Sequence, residues 1–123
     1  MTVNRTILTV DDSRTMRDML RLALVKAGFD VVEAVDGLHG LEVLSNIDPD
    51  VIITDINMPN LDGFGFIEAV RDGDRHRAIP ILVLTTESDP EKKSRARQAG
   101  ATGWIVKPFH PDKLVEAIRR VAA

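Results

Sequence analysis

An α/β fold, built as a doubly wound five-stranded parallel sheet with strand order 2-1-3-4-5 and five helices, is what this 123-residue sequence predicts. Three observations carry the prediction. Five short apolar runs rich in β-branched residues recur along the chain, and stretches of helical spacing separate them. The runs are apolar on consecutive residues rather than alternate ones, as strands covered on both faces must be. Regular alternation of the two kinds of segment then requires right-handed crossovers with helices on both faces of the sheet.

The elements follow in order. The first run is Thr6 to Val10, after which Ser13 can cap a helix whose Met16, Met19, Leu20, Ala23 and Ala27 share one stripe. Gly28 stands in the position of its C-terminal cap. The second run is Val31 to Ala34, and Leu38, Leu41, Val43 and Leu44 mark a second helix. Val51 to Thr54 is the third strand, with Phe64, Ile67 and Val70 on the helix after it. Ile81 to Leu84 is the fourth. Asp89-Pro90 then supplies a capping oxygen and a proline for the first helical position, and that fourth helix runs to Ala99 or Gly100. Its inward residues are only Ala96 and Ala99, while Lys92, Lys93, Arg95 and Arg97 are charged, so burial should hold it weakly and leave it mobile. Thr102 to Val106 is the fifth strand, and Leu114, Ile118 and Val121 define the last helix.

Composition narrows the function classes. Hydrophobic residues make up 44% and charged residues 28%, so the chain can bury a core of its own, and a single domain over residues 1–123 without an output domain is expected. The absence of cysteine excludes a disulfide framework, iron–sulfur clusters and thiolate zinc sites. No apolar run approaches the roughly 20 residues that span a bilayer, and Met1 to Arg5 lack a signal-peptide layout. A cytoplasmic protein with no membrane partner is expected. A net charge of −3 argues against nucleic acid as a ligand. The charge is uneven: residues 1–88 hold 8 Lys and Arg against 15 Asp and Glu, net −7, and residues 89–123 hold 8 against 4, net +4. The basic end is either a set of solvated helix faces or a docking surface for an acidic partner.

In an open doubly wound sheet, ligands sit beyond the carboxyl ends of the strands where the winding reverses. The residues closing the runs are Asp11 and Asp12, then Asp55, then Thr85 and Thr86, then Lys107. Strands one and three are neighbours at the reversal, so the three acids converge on one cleft. Two carboxylates ~4 Å apart repel by roughly 4 kcal/mol at an effective dielectric near 20. Such a cluster must bind a cation, pair with Lys107, or hold a proton. An all-oxygen set with two or so carboxylates suits Mg²⁺, or Mn²⁺, better than a Ca²⁺ cage. Taken singly, an aspartate at a strand end is most often a turn former or cap, and a lysine there a solvated charge. Together at one end of the sheet they read as a site.

These residues resemble the receiver domains of bacterial two-component response regulators. The marks are Val10-Asp11-Asp12-Ser13, Thr54-Asp55-Ile56-Asn57-Met58-Pro59 with Asp62-Gly63, Leu84-Thr85-Thr86, and Lys107-Pro108-Phe109, and the likeness spans the whole chain. The resemblance implies the flavodoxin-like winding. It implies that Asp55 accepts a phosphoryl group from the phosphohistidine of a sensor kinase. It makes Asp12, Asp55 and the backbone carbonyl of Asn57 the Mg²⁺ ligands, with Asp11 reaching the metal through water. Thr85 and Lys107 would engage the phosphoryl oxygens. Trp104 takes the place of the switch aromatic, usually Tyr or Phe, and the Lys107–Pro108 bond is expected to be cis. Asn57 and Glu87, two residues beyond Asp55 and Thr85, would tune dephosphorylation.

Within that family the texture is most similar to the single-domain chemotaxis regulators. The expected partners are a histidine kinase of the chemotaxis type, the flagellar motor switch protein, and a phosphatase, met by a monomer through the face of the fourth helix, fifth strand and fifth helix. Lys92, Lys93, Arg95, Arg119 and Arg120 are its expected contacts. The chain would promote its own phosphorylation and dephosphorylation without being a turnover enzyme. The alternative is a phosphate sink or phosphorelay shuttle that never touches the motor. A flavin or nucleotide binder is disfavoured because Asp11-Asp12 would repel a phosphate, an aspartyl phosphatase because Asn57 stands where a general acid would be needed, and a purely structural receiver because the acid set is intact.

Overall fold

The computed structural model describes residues 4–122; Met1–Val3, included above in the search for a leader, and Ala123 lie outside the described residues. The elements are β1 (Thr6–Val10), α1 (Arg14–Lys26), β2 (Asp30–Ala34), α2 (Gly37–Leu44), β3 (Val51–Thr54), α3 (Gly63–Asp72), β4 (Ile81–Thr85), α4 (Pro90–Ala99), β5 (Gly103–Val106) and α5 (Pro111–Ala122). All strands are parallel in the order β2-β1-β3-β4-β5, as the alternating pattern predicts. Among the described residues no helix is long and apolar enough to cross a membrane.

Neighbouring strand residues point to opposite faces, and both faces are covered. Leu8, Val10, Ile52, Ile81 and Val83 pack under Phe64, Phe66, Ile67 and Val70 of α3, with Leu44 and Ala96. On the other face Ile7, Val51, Ile53, Leu82 and Leu84 meet Leu20 and Leu24 of α1 and Leu114 and Ile118 of α5. The sequence predicts double burial for all five strands, but it holds only for β1, β3 and β4. β2 and β5 are the sheet edges and are only partly covered. The stripe on α1 is also rotated from the expected one. Leu20 and Leu24 are the buried pair, with Met16 packed beside them, and Met19 is 48% exposed.

Caps bound the helices, at Ser13 and Gly28 as read and also at Asp62. The Ser13 side chain accepts from the Met16 N–H, and Gly28 follows the cap residue Ala27 at φ 95°, a left-handed position that glycine adopts without a Cβ clash. Asp62 caps α3 by accepting from the Gly65 N–H. A Cβ on Gly63 would overlap the Asp55 carbonyl and stand 2.7 Å from the Ile56 Cα, so only glycine lets α3 start this close to the end of β3.

Helix α4 is the weakly buried one, with Ala96 its one fully buried residue. Its attachment is largely polar. Arg71 of α3 donates from Nε and Nη2 to the Gly100 carbonyl at 2.9 and 2.7 Å, and from Nη1 to the carbonyls of Ile79 and Arg77 at 2.6 and 3.0 Å. Gly100 ends the helix at φ 116°. Arg95 lies 4.1 Å from the centroid of the Phe64 ring, a cation–π contact with α3. Replacing Arg71 with Met would strip charged hydrogen bonds from these carbonyls, a loss of roughly 2 kcal/mol. Urea unfolding should show that loss, and hydrogen exchange should speed up selectively at the C-terminal end of α4. Unchanged exchange there would mean that packing alone holds the helix.

Candidate functional site

The backbone ladder continues past the last paired residues and sets the site. The Asp55 N–H donates to Val10 O at 3.0 Å and the Asp11 N–H to Ala34 O at 3.1 Å, while the Lys107 N–H donates to Thr85 O at 2.7 Å. These bonds bring Asp11, Asp55 and Lys107 to the carboxyl end of the sheet, where the β1/β3 reversal lies. Carboxylate oxygens of Asp11, Asp12 and Asp55 all lie within 4.8 Å of one another.

Lys107 Nζ stands 2.9 Å from Asp11 Oδ2 and 2.8 Å from Asp55 Oδ2, bonding both at once. Asp11 is 2% exposed, and its Oδ1 accepts from the Ser13 N–H at 2.9 Å. Asp55 Oδ1 accepts from the Ile56 N–H at 2.6 Å. Asp12 is exposed, and among the described residues its carboxylate has no partner. Burial pushes the Asp11 carboxyl above its ordinary value, more than the Ser13 and Lys107 hydrogen bonds pull it down. Burial alone would lower the Lys107 ammonium, but its bonds to Asp55 and Asp11 outweigh that and raise it. The donor set fits a hard divalent cation: oxygen only, clustered, with one carboxylate open to solvent and no sulfur or imidazole among the clustered groups.

The remaining predicted residues lie around this centre. Thr85 is fully buried, and its Oγ1 accepts from the Glu87 N–H at 3.3 Å. Glu87 is a junction. Its Oε1 takes the Asn57 Nδ2 at 3.2 Å and Lys92 Nζ at 3.0 Å, and its carbonyl takes the Trp104 Nε1–H at 3.2 Å. The Lys92 bond leads the interactions that hold the Glu87 carboxyl below its usual value. Trp104 is partly buried, and the Lys107–Pro108 bond is cis. Three of the expected basic contacts also have neighbours within the chain. Arg95 packs on Phe64, Arg119 lines a groove between α1 and α5, and Arg120 pairs with Glu116 at 3.0 Å. Lys93 and Arg97 are the α4 cations that flank Trp104.

Two nearby features escaped the sequence reading. Asp36, capping α2, accepts from Asn60 Nδ2 at 2.8 Å and so ties the loop after β2 to the loop that carries Asn57. Arg17 donates to the Asp11 carbonyl at 2.7 Å. No motif announces either bond, because each joins partners that only the tertiary fold or a long side chain brings together.

The family model for the response regulator receiver domain matches residues 7–119. The chain is 41% identical over 117 residues to the chemotaxis protein CheY1 of Helicobacter pylori, covering 94% of each. It is 35% identical to the sensor histidine kinase CheAY of the same species, of which it covers 14%. Among solved structures, Vibrio cholerae CheY4 superposes with a TM-score of 0.92 at 44% identity, over 97% of this chain and 99% of that one. The receiver domain of a Pseudomonas aeruginosa sensor histidine kinase, with a magnesium ion coordinated in its active-site cleft, superposes with a TM-score of 0.91 at 25% identity over 98% of each chain.

The raised Asp11 value fixes a pH response. In metal-free protein the folded state binds the Asp11 proton more tightly than the unfolded state, so stability falls as pH rises from the ordinary carboxyl value of 3.8 through the raised one. Lys107→Met leaves both carboxylates without their cation and should lower stability at pH 7 by about 3 kcal/mol. The deficit should shrink on acidification as the carboxyls protonate. A deficit equal at pH 7 and pH 4 in urea titrations would exclude charge pairing as the role of Lys107.

Proposed function

This chain belongs to the response regulator receiver domain family, and on that premise we propose that Asp55 takes a phosphoryl group from a sensor kinase's phosphohistidine, with Mg²⁺ bound at the acidic end of the sheet. The observation that carries the reading is Lys107 bonded to both Asp11 and Asp55 inside a trio of carboxylates. Asp12, Asp55 and the Asn57 backbone carbonyl would hold the metal, with Asp11 acting through water. When bound, Mg²⁺ supplies charge neutralisation between the acceptor and the incoming phosphoryl oxygens.

The chain's own groups do the rest. An Asp55 carboxylate oxygen forms the new O–P bond as the donor's P–N bond breaks, and the imidazole leaves with the electron pair and takes a proton from solvent. Lys107, already 2.8 Å from Asp55, follows the charge onto the phosphoryl oxygens. Thr85 turns its hydroxyl to the new dianion and releases the Glu87 N–H. Glu87 also holds Trp104 and Lys92, so this rearrangement reaches β5 and α4. The chain is a phospho-acceptor that promotes its own phosphorylation and dephosphorylation rather than a turnover enzyme, and Asn57 and Glu87 govern the approach of water.

The chemotaxis role, with a chemotaxis-type kinase upstream and the flagellar motor switch downstream, is supported by the likeness to CheY1 and CheY4. The likeness to part of a sensor histidine kinase favours the second reading, a phosphate sink or shuttle. Binding to a motor-switch peptide with and without phosphorylation separates the two.

Asp55→Asn is expected to fold and to show no mass increase with acetyl phosphate and Mg²⁺; an undiminished mass shift would move the acceptor elsewhere. Beryllofluoride with Mg²⁺, standing in for the phosphoryl group, should change the iodide quenching of Trp104, the chain's single tryptophan. Thr85→Ala should blunt that change and leave metal binding largely intact. Equal Trp104 accessibility in both states would remove the aromatic from the output.

A further inference from the structure

We infer that Arg17 is a positioning residue for the acidic turn, holding the Asp11–Asp12 peptide so that Asp12 is presented to a divalent cation. The inference rests on the reading of Asp11, Asp12 and Asp55 as a Mg²⁺ site.

The three acids are not held alike. Asp11 is fixed by Lys107 and the Ser13 N–H, and Asp55 by Lys107 and the Ile56 N–H. Asp12, exposed and without a side-chain partner among the described residues, is placed by its backbone alone. That backbone is where Arg17 acts. Nη1 donates to the Asp11 carbonyl at 2.7 Å. The carbonyl of residue 11 and the N–H of residue 12 share one rigid plane, so fixing the oxygen fixes the direction in which Asp12 leaves the turn.

Arg17 is itself held. Its side chain is only 14% exposed, and Nε lies 3.3 Å from Glu33 Oε1 on the edge strand β2. The other oxygen of Glu33 takes Arg21 Nε at 2.8 Å, and Arg21 Nη2 donates to Val31 O at 3.2 Å. Two arginines one helical turn apart thus lock α1 to β2, and the first extends to the acidic turn. Two donors on one planar fork, aimed at a backbone carbonyl and a carboxylate at once, would be hard for any other side chain to reproduce.

Charge and geometry predict opposite results. A guanidinium beside the acidic cluster repels Mg²⁺, so if Arg17 acted only as a charge, removing it would tighten binding. If it positions the turn, removing it weakens binding although no ligand is lost. Mg²⁺ titration by calorimetry should show Arg17→Met binding about tenfold more weakly than the native protein, as for residues that orient metal ligands. Arg17→Lys keeps the charge without the fork and should fall between the two. In metal-free protein the Ser13 amide should exchange faster in both variants. Equal or tighter Mg²⁺ binding by Arg17→Met, native affinity in Arg17→Lys, or unchanged Ser13 exchange would each overturn the inference. Failure of the native protein to bind Mg²⁺ is a different result, which overturns the metal-site reading and this inference with it.

Discussion

The organisation of this molecule depends on charge balance at the carboxyl end of its sheet. Three carboxylates from the ends of β1 and β3 face a single ammonium, Lys107, leaving a formal charge of −2 within a few ångströms. A divalent cation would cancel that remainder. Lys107 comes from β5, and β4 lies between it and β3, so the lysine reaches across the end of β4. The bond from its N–H to the Thr85 carbonyl sets it just past the last paired residues. Burial raises the Asp11 value, and repulsion from Asp55 adds the smallest share.

From that end the connections run outward through polar groups rather than core packing. Thr85 bonds the Glu87 N–H, and the carbonyl and carboxylate of Glu87 hold Trp104, Asn57 and Lys92. Helix α4, with Ala96 its one fully buried residue, depends on such bonds at both ends: Lys92 to Glu87 at its start, Arg71 to Gly100 at its finish. Hydrogen bonds are short-range and directional, so a shift of the Thr85 hydroxyl would bear first on its bond from the Glu87 N–H. An element held this way belongs to the low-stability end of the fold, where motion costs least.

The parts legible in the sequence were those written in local pattern. Strands buried on both faces read as consecutive apolar residues, so β1, β3 and β4 were plain, and Asp11, Asp12, Asp55, Thr85 and Lys107 stood where those strands and β5 stop. Caps at Ser13 and Asp89 act over two or three residues. The edge character of β2 and β5 was not legible, since a half-covered strand differs from a covered one only in its neighbours. The rotation of α1 was missed because Met19, Leu20 and Leu24 are all apolar and only contact with the sheet selects Leu20 and Leu24. Arg17, Arg71 and Arg95 escaped for a common reason: an arginine reaches far enough that spacing along its own helix does not name its partner.

Two cations therefore serve one acidic cluster in different ways. Lys107 bonds carboxylate oxygens, the groups that chemistry at Asp55 would change, so its contacts must be able to move onto a new anion. A flexible stem carrying a point charge suits that task. Arg17 bonds a backbone carbonyl that no reaction alters, and its fork is clamped by Glu33. A planar guanidinium with several fixed donors suits a part that must stay still. The division explains why a site crowded with like charges can be both strained and well placed: the mobile cation balances charge, while the fixed one keeps the turn from relaxing away from its neighbours once that balance changes.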